Sequence, residues 1–166
     1  MKFAGRALPV RSPAGDNLQL HCALARAKPG DAIIVDVGEG RNFGYWGEIM
    51  ATAAMVRGVN ALVTSGGVRD SARLIELGLP TFAGVVAIQG TTKDSSRDGA
   101  VGEPIRIGDV VIREGDLVMG DADGVVCYGA HRAEAIIQAS EARDQAEQEI
   151  LKSICTGALT LDVYKF

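Results

Sequence analysis

Apolar and polar positions in the first half of the chain follow two different periods. Short apolar runs at 32–37, 61–64 and 81–88 predict strands. The segments between these runs, 47–58 and 71–77, carry apolar residues at helical spacing, and a glycine stops each of them. Alternating strands and helices favour parallel strand pairing with right-handed crossovers. This half of the chain is therefore predicted to adopt an α/β fold.

The flanking segments add elements on both sides. Residues 3–10 alternate weakly and predict a first strand, followed by a helix with Asp16 or Asn17 as its N-cap. A segment rich in Ala, Glu, Gln and Arg predicts a long helix over 133–153, with an apolar stripe and a solvated charged face. We expect the tail, 156–166, to dock on a surface. The docking side chains would be Leu159, Leu161, Val163 and Tyr164.

The segment 104–128 has a third pattern, in which short apolar runs alternate with turn pairs. These pairs are Gly108-Asp109, Glu114-Gly115 and Asp123-Gly124. Such pairs predict hairpins. Asp121 and Asp123 invite a calcium-loop interpretation, but the ligand spacing of that loop does not follow, so a turn is the better interpretation. A β-rich second half predicts a mixed sheet and not a doubly wound Rossmann fold.

Size, charge and cysteine usage narrow the classes of function. With 166 residues and 47% hydrophobic content, the chain suits one domain with a core. A net charge of −4 without a cluster of Lys or Arg argues against direct binding of nucleic acid. The three cysteines form no C-x-x-C motif, which favours reduced thiols. No apolar run reaches the roughly 20 residues of a membrane span and no secretory signal is visible, so we expect a soluble cytoplasmic protein.

The candidate chemistry is concentrated in the stretch 46–70. A helix entered through Gly47 has free N–H groups in its first turn, and these attract an anion. After the next strand, a tight Gly66-Gly67 turn is predicted to present Arg69 beside Asp70. The guanidinium suits an anionic group and the carboxylate suits a divalent cation. Together these features suggest a small carboxylate-bearing substrate held on a metal.

Further features of this stretch complete the predicted pocket. The helix is predicted to have an apolar side made by Ile49, Met50, Ala53, Ala54 and Val56. The glycine-rich segment 38–47 is interpreted as a loop that walls the pocket, with Trp46 in the wall or plugging the edge of the core. On residue types alone, a structural ion pair among Glu48, Arg69 and Asp70 is as good an interpretation as a functional site.

Several motifs resemble one known family. Glu48, twenty intervening residues and Arg69-Asp70 resemble the acidic-x20-Arg-Asp motif of the RraA-like proteins. The resemblance continues in order through G-T-T-K-D at 90–94, the segment 107–126 and T-L-D-V-Y at 160–164. This family includes 4-hydroxy-4-methyl-2-oxoglutarate and 4-carboxy-4-hydroxy-2-oxoadipate aldolases. It also includes regulators that inhibit the endoribonuclease RNase E.

The resemblance implies an architecture for the whole chain. We expect a single domain over residues 1–166, an α/β fold of the swivelling β/β/α sandwich type, as in RraA. Many relatives carry a helical segment before the first strand, and this sequence is expected to lack it. Relatives assemble as homotrimers or homohexamers with sites at subunit junctions, and we expect the same assembly here.

The resemblance also implies roles for the charged residues. In the aldolase members a divalent metal cation, Mg²⁺ or alternatively Mn²⁺, binds a pyruvate-like moiety. Retro-aldol cleavage and oxaloacetate decarboxylation then share a pyruvate enolate intermediate. By this resemblance Asp70 is the metal ligand, directly or through water, and Glu147 of a neighbouring subunit is the best match to a second acidic ligand. Arg69 would stabilise the enolate oxygen or orient the substrate.

The start of the central helix would bind substrate. Gly47 allows close approach, and the backbone amides of Ile49 and Met50 would bind the substrate carboxylate. Glu48 would hold a water that relays the proton of the C4 hydroxyl. Two positions depart from the family pattern. Glu48 stands where Asp is frequent, and Arg73 stands where aldolases often have an acidic residue, which reverses the local charge.

Two other functions compete with the lyase. A non-catalytic RraA-type regulator would bind the arginine-rich region of RNase E, and an acidic protein suits that partner. Retention of Asp70 after Arg69 favours the enzyme, because a pure binding protein has no need for a metal ligand there. A methyltransferase acting on a quinone precursor is discounted, because no G-x-G-x-x-G follows an early strand to hold an adenosine cofactor.

Overall fold

The computed structural model describes residues 1–165 of the chain. The chain divides into two compact units, Met1–Ala130 and His131–Phe166, and each is described by itself. The expected single domain over 1–166 stays a prediction. Within the described residues, no helix combines the length and apolar character that a membrane crossing requires.

The first unit contains ten strands and three α-helices within its described residues. The strands are β1 (Phe3–Arg11), β2 (Asp31–Asp36), β3 (Gly44–Trp46), β4 (Ala61–Val68), β5 (Thr81–Val86), β6 (Ala100–Val101), β7 (Ile105–Ile107), β8 (Val110–Ile112), β9 (Leu117–Asp121) and β10 (Gly124–Tyr128). The helices are α1 (Leu18–Arg26), α2 (Glu48–Val56) and α3 (Ser71–Leu77). The predicted glycine stops are confirmed, because Gly58 and Gly78 follow α2 and α3 with positive φ of 71° and 76°.

The main sheet is mixed, as the sequence predicted. Its path runs β10-β9-β1-β2-β4-β3, with β5 paired to β4 and β6 paired to β1. The central strands β1, β2 and β4 pair in parallel, and β3 and β5 also run parallel to β4. β9 lies antiparallel to β1 and forms a hairpin with β10, while β7 and β8 form a separate hairpin. The predicted α/β class is confirmed, and so are the hairpins at two of the three turn pairs, whereas β8 and β9 on either side of Glu114-Gly115 do not pair.

The core lies on both faces of the sheet because neighbouring residues of a strand point to opposite sides. On one face, Leu8 and Ile33 pack with helical residues such as Leu20. On the other face, Ala7 and Ile34 pack with the β7–β8 hairpin. The central strands are therefore buried on both sides, which explains their nearly continuous apolar sequences.

The predicted tight turn at Gly66-Gly67 is wrong. Gly66 and Gly67 do not form a tight turn but lie inside β4. A Cβ on Gly66 would stand 2.8 Å from a methyl group of Val37, and one on Gly67 would stand 2.6 Å from the carbonyl oxygen of Phe43. These glycines therefore allow close packing. From the sequence alone, a glycine pair with this role looks the same as a glycine pair in a turn.

The segment 38–47 is only partly a loop, because its end forms β3. Tyr45 and Trp46 in this strand are 1% and 0% exposed. The Tyr45 hydroxyl accepts a hydrogen bond from the Gly15 N–H at 2.7 Å and donates one to the Gly40 carbonyl oxygen at 2.6 Å. Of the two roles considered for Trp46, the structure shows the one in the core.

The second unit contains α4 (Ala133–Cys155) and α5 (Thr160–Val163), preceded by a 3₁₀ turn at Ala130–Arg132. No described residue of either α-helix is buried. Leu159, Leu161 and Tyr164 are 63%, 60% and 53% exposed in this chain, and the docking of the tail on a surface stays a prediction. Phe166, the end of that tail, lies outside the described residues.

Candidate active site

The predicted site residues meet at the ends of two neighbouring parallel strands. Trp46 at the end of β3 pairs with Val68 at the end of β4. The N–H of Arg69 donates a hydrogen bond to the Trp46 carbonyl oxygen at 2.8 Å, which locks the two chain segments together. Gly47-Glu48 and Arg69-Asp70 therefore leave the same edge of the sheet, where ligands bind in open α/β sheets.

Asp70 caps a helix that lies far from it in sequence. Its Oδ2 accepts a hydrogen bond of 3.1 Å from the backbone N–H of Glu48, the first residue of α2. Asp70 itself has a left-handed backbone with φ of 56°, which is uncommon for a residue other than glycine. A Cβ on Gly47 would lie 2.4 Å from this Oδ2, so glycine is required for the approach.

The first turn of α2 retains two donors for the predicted anion. Within the described residues, no acceptor is found for the backbone N–H groups of Ile49 and Met50. The predicted apolar side of the helix needs correction, because Ile49 and Val56 are 80% and 81% exposed. The buried face is formed by Met50, Ala51 and Ala54, so the prediction is confirmed for Met50 and Ala54. Ile49 therefore presents its side chain to the surface beside the site.

Arg73 is part of the site, although the sequence identified it only as a departure from the family pattern. Its Nε and Nη2 donate hydrogen bonds to the same oxygen of Glu48, Oε1, at 3.1 and 2.9 Å. Its Nη1 also pairs with Glu76, one helical turn further along α3. The hydrogen bond to Glu48 is the main reason that the pKa of Arg73 is raised above its ordinary value. Its position three residues after Asp70 on a predicted helix was the available signal.

A surface pocket of about 430 Å³ lies at this edge of the sheet, and Gly47, Ile49 and Met50 are not among its lining residues. Its charged lining consists of Glu48, Arg69, Asp70 and Arg73, two carboxylates and two guanidinium groups. The Nε of Arg69 stands 4.0 Å from Oδ2 of Asp70. The remaining wall is formed by Ser71, Ala72, Val86, Ala87 and Ile88. The lining thus combines four charged side chains with several apolar residues.

The fit of a metal ion depends on Asp70. No group of three or more His, Cys, Asp or Glu side chains converges in the part of the chain that the structure describes. Asp70 commits Oδ2 to Glu48, and no hydrogen bond to its Oδ1 is found among the described residues. Mg²⁺ takes few protein carboxylates and keeps several waters, so a single half-exposed carboxylate fits it. Glu147, the other predicted ligand, accepts a hydrogen bond from Arg143 within α4 at 2.7 Å, and its metal role stays a prediction.

A second carboxylate, Asp16, shows how the G-T-T-K-D motif is held. Asp16 is 1% exposed and accepts hydrogen bonds from Leu18 N–H, the Thr92 hydroxyl and Asp94 N–H. Burial favours the neutral acid, but these three bonds outweigh it and lower the pKa of Asp16. Of the two predicted caps, Asn17 has the N-cap position but makes no capping bond with its side chain.

Known proteins resemble this chain in sequence and in structure. The family model described as RraA-like, Aldolase/RraA, matches residues 1–127. A protein of Halalkalibacterium halodurans named "Putative 4-hydroxy-4-methyl-2-oxoglutarate aldolase" is 29% identical over 166 residues, which are 98% of this chain and 77% of that protein.

Two solved structures show the same fold. An uncharacterized protein from Pseudomonas syringae pv. tomato superposes with a TM-score of 0.84 at 23% identity, over 99% of this chain and 78% of that one. The RNA-processing inhibitor RraA of a Thermus species superposes with a TM-score of 0.71 at 26% identity, over 77% and 76% of the two chains. The expected RraA-like fold is confirmed. The strand ends, the acidic-x20-Arg-Asp motif and the family match agree, and the chain belongs to the RraA-like family.

Proposed function

We propose that this protein is a divalent-metal-dependent carbon–carbon lyase. It cleaves 4-hydroxy-2-oxo acids, either 4-hydroxy-4-methyl-2-oxoglutarate or 4-carboxy-4-hydroxy-2-oxoadipate, to pyruvate and a second 2-oxo acid. It also decarboxylates oxaloacetate. The observation that carries the proposal is the meeting of Arg69, Asp70 and the first turn of α2 in one pocket. The name of the similar Halalkalibacterium halodurans protein supports the substrate class.

The carboxylate next to the 2-oxo group would bind at the helix end. The free N–H groups of Ile49 and Met50 face the pocket end of α2, where the helix dipole favours an anion. Asp70 would hold Mg²⁺ or Mn²⁺, with Glu147 of a neighbouring subunit as a further ligand. A divalent cation bound there supplies Lewis acidity to the 2-oxo group.

The chemistry requires one proton acceptor and one stabiliser of developing negative charge. A water held by Glu48 accepts the proton of the C4 hydroxyl as the C3–C4 bond breaks. The electron pair of that bond moves onto the 2-oxo oxygen, where the guanidinium of Arg69 stabilises the enolate by hydrogen bonding. Return of a proton from the same water to C3 releases pyruvate. Decarboxylation of oxaloacetate breaks the equivalent bond and gives the same enolate.

Assembly and location follow the same family expectations. Ile88 lines the pocket and is 95% exposed, and Ile49 on α2 and Ile75 on α3 are each 80% exposed. An apolar surface of this kind supports the expected homotrimer or homohexamer. A cytoplasmic location is part of the same proposal.

The alternative function is a non-catalytic regulator that binds and inhibits RNase E. Its support is the fold shared with the solved RNA-processing inhibitor RraA and the acidic net charge of −4. An acidic surface suits an arginine-rich partner. Under this alternative, a metal ligand at Asp70 is not required.

The test is pyruvate release from the two hydroxy-oxo acids and from oxaloacetate. The assays contain Mg²⁺ or a chelator, and they compare wild type with Asp70→Ala. The control is Asp98→Asn, a change in a carboxylate that is 88% exposed and outside the pocket. We expect pyruvate above the metal-only background from wild type and the control, and none from Asp70→Ala or with chelator. Absence of pyruvate from a folded oligomer would reject the lyase and favour the regulator.

A further inference from the structure

The pocket holds a second guanidinium whose ion pair is poorly matched to its partner. Arg73 directs both Nε and Nη2 to Oε1 of Glu48, so the fork of two donors meets a single oxygen. The described structure shows no bond to the other oxygen, Oε2. An Arg fork binds a carboxylate best when each donor meets its own oxygen. The present pair therefore leaves part of the binding capacity of Arg73 unused.

The ion pair between Arg73 and Glu48 lies at the surface, where an incoming anion can take the place of Glu48. The side chains of Arg73 and Glu48 are 55% and 40% exposed. Water screens exposed pairs, and such pairs contribute little to stability. Glu76, the other partner of Arg73, is 61% exposed and does not line the pocket. An incoming anion can thus replace Glu48 at Arg73 while Glu76 remains in place.

Arg69 and Arg73 reach the pocket from different elements of the fold. Arg69 is fixed beside Asp70 by its backbone bond to Trp46. Arg73 stands on α3, about one turn beyond Asp70. The pocket therefore offers a second cation besides the one that lies next to Asp70.

We propose that Arg73 is a specificity-determining residue that selects 2-oxo acids carrying a second, distal carboxylate. This inference rests on the proposed function and names the substrate class of that site. On binding, the distal carboxylate takes both donors of Arg73 in place of Oε1 of Glu48. Glu48 is released to hold the water that accepts the C4 hydroxyl proton. A substrate with a methyl group at the distal position does not displace Glu48 from Arg73. Such a substrate is therefore bound more weakly and is turned over more slowly.

The first test measures binding without turnover. Titration calorimetry compares 2-oxoglutarate with 2-oxopentanoate, which differ only by a carboxylate in place of a terminal methyl group and lack the C4 hydroxyl. Wild type is expected to bind 2-oxoglutarate about tenfold more tightly or better, since hydrogen bonds to charged groups are the stronger class. Arg73→Gln should reduce this preference to less than about threefold, whereas Arg73→Lys should keep part of it. Glu76→Gln, the matched control, should keep all of it.

The second test measures turnover of a matched pair of hydroxy-oxo acids. Arg73→Gln should lower kcat/KM about tenfold for 4-hydroxy-4-methyl-2-oxoglutarate. The readout is the ratio of kcat/KM for this substrate to kcat/KM for 4-hydroxy-2-oxopentanoate, and we expect Arg73→Gln to lower this ratio about tenfold. A merely structural role for Arg73 would lower both substrates together, and that result would overturn the inference.

The two tests separate this inference from the proposed function. An Arg73-dependent preference for 2-oxoglutarate without any pyruvate release would reject the lyase and retain the assignment of Arg73. Pyruvate release with the same substrate preference in wild type and Arg73→Gln would retain the lyase and overturn the assignment. Absence of binding of both 2-oxo acids to the wild-type protein would overturn it as well.

Discussion

Asp16 and Asp70 both precede helices of the first unit, yet their surroundings assign them opposite roles. Asp16 stands before α1, is 1% exposed and accepts three hydrogen bonds. Asp70 stands before α3, its side chain is 44% exposed and one backbone N–H donates to it. Both carboxylates join segments that are distant in sequence. Only Asp70 keeps an oxygen without a hydrogen bond among the described residues.

This difference shows that a structural carboxylate and a functional one can be told apart by their burial and by the number of hydrogen bonds they accept. The carboxylate of Asp16 accepts hydrogen bonds from the loop containing Thr92 and Asp94 and from the start of α1. Removal of this carboxylate leaves three partly buried donors without their acceptor. At Asp70, water already reaches the carboxylate, so a cation can bind without a large desolvation cost. Substitutions at the two positions should therefore separate stability from activity.

The largest expected effect is on stability, from Asp16→Ala. The variant leaves the partly buried N–H groups of Leu18 and Asp94 without their acceptor, and we expect a loss of about 2 kcal/mol in the free energy of unfolding. Chemical denaturation monitored by tryptophan fluorescence measures it through Trp46. A loss below about 1 kcal/mol would show that the three hydrogen bonds contribute little, and the contrast with Asp70 would fail.

The next effect is on activity, from Asp70→Asn. Loss of the metal-binding charge should reduce kcat/KM for pyruvate release by about 100-fold or more. The free energy of unfolding should change by less than about 1 kcal/mol, because the amide oxygen still accepts the Glu48 N–H at an exposed site. Steady-state kinetics and denaturation of the same preparation measure both quantities. A large loss of stability here would instead assign Asp70 a structural role like that of Asp16.

A smaller effect on activity is expected from Gly47→Ala. The added Cβ would lie 2.4 Å from Oδ2 of Asp70, so the carboxylate must move away from the end of α2. We expect kcat/KM to fall about tenfold, since small displacements of catalytic groups are costly. Gly90→Ala is the matched control for pocket activity, because nothing lies within 4 Å of a Cβ there and the backbone is outside the left-handed region. Equal losses in the two variants would contradict a specific role for Gly47.

The smallest expected effect is the pH dependence that Asp16 gives to stability. Its pKa is lowered in the folded state, so its contribution is present above the unfolded value near 4 and is lost as the pH falls through the folded value. We therefore expect the difference in unfolding free energy between wild type and Asp16→Asn to shrink below about pH 4. Denaturation at a series of pH values measures this difference. A constant difference from pH 7 to pH 3 would contradict it.

The sequence by itself determined the order of the elements and the family. Apolar runs and glycine stops predicted the strands and helices from 32 to 88, because strand and helix periods are local properties. Paired turn residues predicted both hairpins of the segment 104–128 for the same reason. The Glu48 to Asp70 motif indicated the candidate site. The metal, the oligomer and the role of Glu147 stay predictions.

Only the tertiary structure decided how the site is put together. A sequence does not show that Gly66 and Gly67 lie inside a strand, because their purpose is close approach of Val37 and Phe43 from other segments. Nor does it show that Asp70 caps α2 or that Arg73 holds Glu48, since these contacts join residues 22 and 25 positions apart. Periodicity reports only which face of an element is apolar. Which charged groups meet depends on the pairing of β3 and β4, whose ends bring α2 and α3 to one pocket.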